Sequence, residues 1–276
     1  MTLPENRFDF DYAVLCETGL VRKINQDVAL ALPREGVFCV ADGMGGASAG
    51  EVASGIVAKV VKKEMTDSWS ASPGDRKYTF HQALHQANTD VNEYREKHEY
   101  KSMGSTVVAV LFNPWNAEVA DIVNCGDSRC YCFRNGELLK LTIDHTLERA
   151  FKNNPAFAGK SNVLTNHIGA VGYMTATWKQ VSVCANDLFL LCSDGVTSFV
   201  AEERIQEILD AFKTPQAIVP KLREAVLASG AGDNFTIVCV LMPEKLPGPV
   251  VVSPEEQQES DLLYQIAERR KDYGKQ

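Results

Sequence analysis

An α+β fold is the expectation from three features of this 276-residue sequence. Short apolar runs with strand character recur along almost its whole length. Two separate stretches each carry a pair of helix-like segments, 48–65 with 79–98 and 202–212 with 215–229. Asn135-Gly136 joins two apolar runs in the pattern of a two-residue type I′ hairpin, which requires neighbouring antiparallel strands.

Taken in order, Asp11–Cys16 and Val28–Leu32 read as strands. Gly36–Ala41 (GVFCVA) is apolar throughout and reads as a buried strand that stops at Asp42-Gly43-Met44-Gly45-Gly46. Residues 48–65 set Val52, Ile56, Val57, Val60 and Val61 on a helical stripe, and a second helix covers 79–98. Strands follow at Thr106–Phe112, Ala117–Cys125 and Arg129–Arg134, the last entering the hairpin to Leu138–Leu141. Asp144–Asn162 loses periodicity and gains Asn, Pro and Gly, so it reads as a surface excursion between core strands. Trp178–Cys184 and Leu188–Cys192 return to strand character, the second helix pair follows, and Phe235–Met242 is the final core strand. Beyond it, Pro243, Pro247, Gly248, Pro249 and Pro254 mark a linker. Ser253-Pro254-Glu255-Glu256 then opens a charged helix expected over 255–273, with Leu262, Leu263, Ile266 and Ala267 on one side. The expected division is a main domain over 1–243 and a linker plus helix over 244–276.

A hydrophobic content of 45% with 23% charged residues suits a packed core rather than disorder. The net charge of −8 argues against a nucleic-acid partner, since it repels phosphate backbones. Aspartates that hold divalent cations would neutralise part of it. The eight cysteines are scattered without a C-x-x-C pair. Cys39, Cys125, Cys184, Cys192 and Cys239 lie within or beside strand-like runs, and the expectation is buried reduced thiols. The N-terminus lacks a basic segment followed by an apolar one, and no apolar run is long enough to cross a bilayer. The expectation is therefore a cytoplasmic, soluble protein, working as a monomer. His81 and His85, four apart on a helix, are expected at the surface, and His145 in a structural hydrogen bond.

One pattern recurs at the strand ends. Asp42-Gly43 follows GVFCVA, Asp127 follows VNCG, Asp194-Gly195 follows LFLLCS, and Asp233-Asn234 precedes FTIVCV. Asp27 ends a segment that contains Arg22 and Asn25. A carboxylate in such a place is costly unless it is paired or bound to a metal. Any one of these aspartates is accounted for by a turn or a helix cap. The repetition of the same context favours a shared site instead, and its oxygen ligands suit magnesium or manganese rather than zinc.

The ordered set resembles the PPM family, the metal-dependent 2C-type protein phosphatases, in its bacterial form. It comprises residues 19–27 (GLVRKINQD), Ala41–Gly46 (ADGMGG), Gly104-Ser105-Thr106 and Gly126–Arg129 (GDSR). Asp144-His145, Asn162–Thr165, Cys192–Gly195 (CSDG) and Gly232–Thr236 (GDNFT) complete it, so that the resemblance spans Asp11 to Met242. The resemblance implies an αββα sandwich: two packed antiparallel sheets flanked by helix pairs. It also implies roles. Asp42 would bridge two divalent cations, Mn2+ or Mg2+, with the Gly43 carbonyl on the second and Asp194 and Asp233 on the first. Asp127 would share a weaker third ion with Asp194, Asp27 would orient water, and Arg22 would bind the phosphate through its guanidinium fork. The cations would activate a water that displaces the serine or threonine alkoxide in line. The implied partners are phosphoserine and phosphothreonine proteins and a cognate serine/threonine kinase.

Three features depart from the family pattern. Gln26 stands where Glu is frequent, Met44 stands where many eukaryotic members have His, and the flap over 146–161 is short. Two rival readings share the fold: a catalytically weak phosphoprotein-binding or scaffold member, and a hydrolase of small phosphoesters.

Overall fold

The computed structural model describes residues 8–45, 49–67, 73–152, 154–160, 163–172 and 174–248. The linker-and-helix expectation for the C-terminus falls almost wholly outside them.

A strand covered on both faces needs apolar side chains at every position, and several segments supply them. Val107–Phe112 and Leu188–Cys192 are buried at each residue, as are the first five residues of Val37–Gly45. These strands stack into two antiparallel sheets. We label the strands β1 (Asp11–Glu17), β2 (Asp27–Leu32), β3 (Val37–Gly45), β4 (Met103–Ser105), β5 (Val107–Phe112) and β6 (Val119–Cys125). They continue as β7 (Arg129–Arg134), β8 (Glu137–Lys140), β9 (Thr177–Ser182), β10 (Leu188–Cys192) and β11 (Phe235–Leu241). One sheet runs β1-β11-β10-β7-β8 and the other β2-β3-β5-β6-β9, with β4 added beside the end of β3.

Alternation along each strand sorts the side chains into three apolar layers. Phe38, Val40, Val108, Val110 and Phe112 meet Phe189, Leu191, Val238 and Val240 between the sheets. Val37, Cys39, Ala41, Val107 and Ala109 face the other way, onto α1 (Ala49–Asp67) and α2 (Pro73–Lys97). Leu188, Leu190, Cys192, Ile237 and Cys239 face α5 (Glu202–Ala211) and α6 (Pro215–Ala228). The result is the four-layer α-β-β-α sandwich that the family resemblance implied. Two short α-helices, α3 (Leu147–Ala150) and α4 (Asp194–Thr197), and a 3-10 helix at Pro155–Phe157 complete the described elements.

The hairpin between β7 and β8 forms as expected. Asn135 and Gly136 take φ values of 54° and 84°, the left-handed pair that a type I′ turn needs, and Arg134 pairs with Glu137. The outer end of this sheet is pinned by a charge pair. Arg134 donates from Nε and Nη2 to the two oxygens of Asp187, at 2.7 and 2.6 Å, and Asp187 is 1% exposed.

Several details differ from the sequence reading. β3 does not stop at Asp42; it continues to Gly45 because Gly43, Met44 and Gly45 pair with Ser105, Gly104 and Met103. α2 begins at Pro73, six residues before the expected start. Cys184 is exposed, since its strand ends at Ser182, whereas Cys130 and Cys132 are buried. All eight cysteines are free. His81 and His85 are half-buried rather than on the open surface, with their Nε2 atoms 3.3 Å apart.

Candidate metal centre

The acidic residues are delivered by strand ends at one edge of the sandwich. β2 and β3 pair in register so that Asp27 lies directly opposite Asp42. Asp127 sits in the turn from β6 to β7, Asp194 opens α4 just after β10, and Asp233 just precedes β11. A Cβ on Gly43 would overlap the carbonyl oxygens of Gly50 and Gln26, so only glycine fits beside Asp42. The Gly43 N–H donates to the Gln26 carbonyl at 3.0 Å. The Ser54 hydroxyl of α1 donates to the same carbonyl at 2.6 Å.

Each acid has its own support. The Ser193 hydroxyl donates to Asp27 Oδ2 at 2.7 Å and accepts from the Thr236 N–H at 3.0 Å. Asp27 is 5% exposed, and its Oδ1 is buried without a hydrogen-bond partner. The Asp42 N–H donates to Thr106 Oγ1, itself 2.7 Å from the Ser128 hydroxyl. Asp42 and Asp194 both keep some solvent contact although protein packs densely around them.

Electrostatics report what this crowding costs. Burial, reinforced by the charges of Asp27, Asp194 and Asp127, holds the Asp42 carboxyl far above the usual carboxylate range. Burial also pushes Asp27 up to about 6 despite the Ser193 hydrogen bond, and Asp127 up to about 7 with help from the Asp194 charge. Asp194 is raised by burial and then by Asp233. Acids that raise one another in this way suit a bound cation, which would offset their mutual repulsion. Among the described residues no three acids form a ready-made cage. The guanidinium of Arg22 on Asp233 is a partner that a cation would replace. The donors are hard oxygens, and the orphaned Asp27 Oδ1 is one more, so the residues fit divalent magnesium or manganese.

Arg22 reaches this centre from an exposed loop and donates from Nη2 to Asp233 Oδ2 at 2.8 Å. Its side chain is 51% exposed, open to a ligand from solvent. Gly19 in that loop has φ 76°, and a Cβ there would overlap the backbone oxygens of Asp233 and Ala231.

Asn234 is a residue to which sequence reasoning assigned no role. Its Oδ1 accepts from the Gln26 N–H at 2.9 Å, and its Nδ2 donates to the Thr18 and Ile24 carbonyls at 2.9 and 3.0 Å. It thereby ties both ends of the Arg22 loop to the start of β11. Its place in the Asp-Asn pair was the only signal in the sequence. Arg129, by contrast, is a strand anchor: its guanidinium grips Asp144, with a shortest contact of 2.7 Å, and also bonds Glu202. His145 accepts at Nδ1 from the Gly126 N–H and meets Thr177 Oγ1 at 2.9 Å through Nε2, the structural role expected of it.

The family model described as Protein phosphatase 2C matches residues 22–231, which include every one of these acids except Asp233. The chain belongs to the protein phosphatase 2C family. Curated relatives agree. The serine/threonine phosphatase stp of Listeria innocua is 28% identical over 236 residues, covering 81% of this chain and 92% of that protein. The serine/threonine protein phosphatase PstP of Mycobacterium tuberculosis is 31% identical over 82% of this chain, a match that spans 44% of PstP. The crystal structure of the M. tuberculosis phosphatase PstP/Ppp superposes with a TM-score of 0.76 at 29% identity, covering 85% of this chain and 99% of that one. The catalytic domain of PstP in complex with 2 manganese ions superposes at 0.74, also at 29% identity, over 85% and 98%. In this 2C-family chain Asp42 lies directly across the β2–β3 ladder from the buried Asp27.

Proposed function

We propose that the chain is a divalent-cation-dependent phosphatase of phosphoserine and phosphothreonine in proteins. The observation that carries this reading is the gathering of Asp27, Asp42, Asp127 and Asp194, each with its carboxyl raised by burial and by its neighbours. Asp42, the Gly43 carbonyl, Asp194 and Asp233 would hold two cations, Mn2+ or Mg2+, and Asp127 with Asp194 a weaker third. Bound there, the cations polarise the phosphoryl group and activate a water for attack. Asp27, with Oδ2 held by Ser193 and Oδ1 without a partner, would orient that water. Arg22, which now bonds Asp233, would supply a planar fork for the phosphate oxygens once that carboxylate serves a cation. Met44 has no proton to give, so the leaving alkoxide takes its proton from solvent.

The PstP structure with 2 manganese ions and the relatives named serine/threonine phosphatase support the metal and the substrate class. Eight free cysteines favour a reducing cytoplasm, where the enzyme would oppose a serine/threonine kinase. Each apolar layer is covered within the single chain, which favours a monomer.

The test is hydrolysis of a phosphothreonine peptide by metal-stripped protein, with and without manganese, beside Asp194→Asn. Manganese-dependent turnover is expected in the parent and none in the variant, with the same melting profile for both. Folded, manganese-loaded parent protein without turnover would overturn the reading, and a variant near the parent rate would remove Asp194 from the ligand set.

A further inference from the structure

β3 carries the chain past Asp42 and Gly43 to Met44 and Gly45, and beside this extension lies a cavity of about 290 Å3. Its nearest lining residues, Met44 and Gly45, lie one and two positions past Gly43, about 3 to 7 Å along β3 at roughly 3.3 Å per residue. Arg95, Lys101 and His167 line it, while Met44, Met103 and Val171 form apolar walls. Among the described residues that line it there is no aspartate or glutamate, although the whole chain carries a charge of −8.

Folding does not account for this basic lining. Lys101 is exposed and makes no ion pair with any described residue. Arg95 uses Nη1 to donate to the Gly169 carbonyl at 2.9 Å, which anchors one corner of a guanidinium that carries five donors. His167 is anchored through Nδ1 to the Ile168 carbonyl at 3.0 Å. A Cβ on Gly104 would collide with that ring, so the β4 backbone is pressed against His167 and the wall is a packed one. At the rim Val171 is 83% exposed, an apolar residue with no core to serve. The cavity combines positive charge with short apolar walls, the chemistry that recognises a side chain ending in an anion.

We propose that this cavity is a subsite for an anionic side chain of the substrate peptide, a carboxylate or a second phosphate, two to four residues from the phosphoresidue being hydrolysed. The proposal rests on the phosphatase reading above. The spacing follows from the fold, since two to four residues of extended peptide span about 7 to 13 Å. Lys101 and Arg95 would make it selective for acidic or multiply phosphorylated segments, and the metal centre would remain indifferent to them.

The experiment compares manganese-loaded parent protein with Lys101→Glu on three phosphothreonine peptides: one with neutral neighbours, one with a glutamate three residues away, and one with a phosphoserine at that place. Mass spectrometry follows which phosphate leaves, and p-nitrophenyl phosphate serves as a substrate with no neighbours. The parent should favour the anionic peptides by about tenfold in kcat/KM, the size of one charge-assisted hydrogen bond. Lys101→Glu should lose that preference while keeping its rate on p-nitrophenyl phosphate. A phosphoserine effect larger than the glutamate effect identifies a phosphate subsite, and equal effects identify a general anion subsite. Active parent protein with no preference, or a preference that survives Lys101→Glu, overturns the subsite alone. Loss of all turnover in the manganese-loaded parent overturns the phosphatase reading and the subsite with it.

Discussion

Replacing Asn234 by alanine should loosen the active edge of the sandwich without touching any proposed ligand. The side chain is 4% exposed and makes three hydrogen bonds, one accepted from the Gln26 N–H and two donated to the Thr18 and Ile24 carbonyls. Alanine leaves those three backbone groups without their partner. At about 1 kcal/mol for each bond, the loss is about 3 kcal/mol. For a folded unit of this size that corresponds to a melting temperature lower by about 6 to 12 °C. The same bonds hold the segment that carries Arg22 and leads into Asp27. A misplacement of about 1 Å in a positioning element can cost about a hundredfold in rate. The kcat/KM on a phosphothreonine peptide should therefore fall by at least about tenfold. Thermal denaturation and steady-state kinetics, both with saturating manganese, read the two effects. A variant that melts within about 2 °C of the parent and keeps its kcat/KM would refute the argument, because water would then replace the side chain at no cost.

Further outcomes follow from the same structure. A carboxyl whose pKa is higher in the fold than in the unfolded chain binds its proton more tightly when folded, so stability is lost as pH rises through that interval. Asp27, raised from 3.8 to about 6, should thus make metal-free protein less stable as pH rises from about 4 to 6, and Asp127 extends the loss to about 7. The Asp27 contribution is about 3 kcal/mol at most. Manganese should flatten or reverse the slope, and melting curves in chelator that rise with pH over this range would contradict it. Arg134→Ala should cost about 3 kcal/mol by leaving the buried Asp187 carboxylate with the Cys184 N–H as its remaining partner, which urea unfolding would read. Deleting residues 248–276 should leave p-nitrophenyl phosphate hydrolysis intact, because β11 completes its sheet at Leu241 and Leu246 already packs against the inter-sheet core. A folded deletion without activity would show that the tail belongs to the catalytic unit.

The sequence by itself determined the chemistry and the class of fold. Metal-binding chemistry restricts which side chains serve, and an Asp at the end of an apolar strand is a local arrangement, so Asp42, Asp127, Asp194 and Asp233 were legible as a recurring pattern. The paired helices and the Asn135-Gly136 turn were legible for the same reason, since each depends on neighbouring residues. Faces and partners were not legible. A strand such as Val107–Phe112 is apolar at every position, so no periodicity says which side meets the other sheet and which meets α1 and α2. The continuation of β3 through Gly43, Met44 and Gly45 depends on β4, about sixty residues further on, and locally those glycines read as a turn. The contacts that set the active edge join residues far apart in the chain: Arg22 with Asp233, Ser193 with Asp27, and Asn234 with Gln26. Only the closed sandwich brings them within hydrogen-bonding distance. Only there do burial and mutual repulsion raise the acids' pKa values, because both depend on how tightly the layers press the strand ends together.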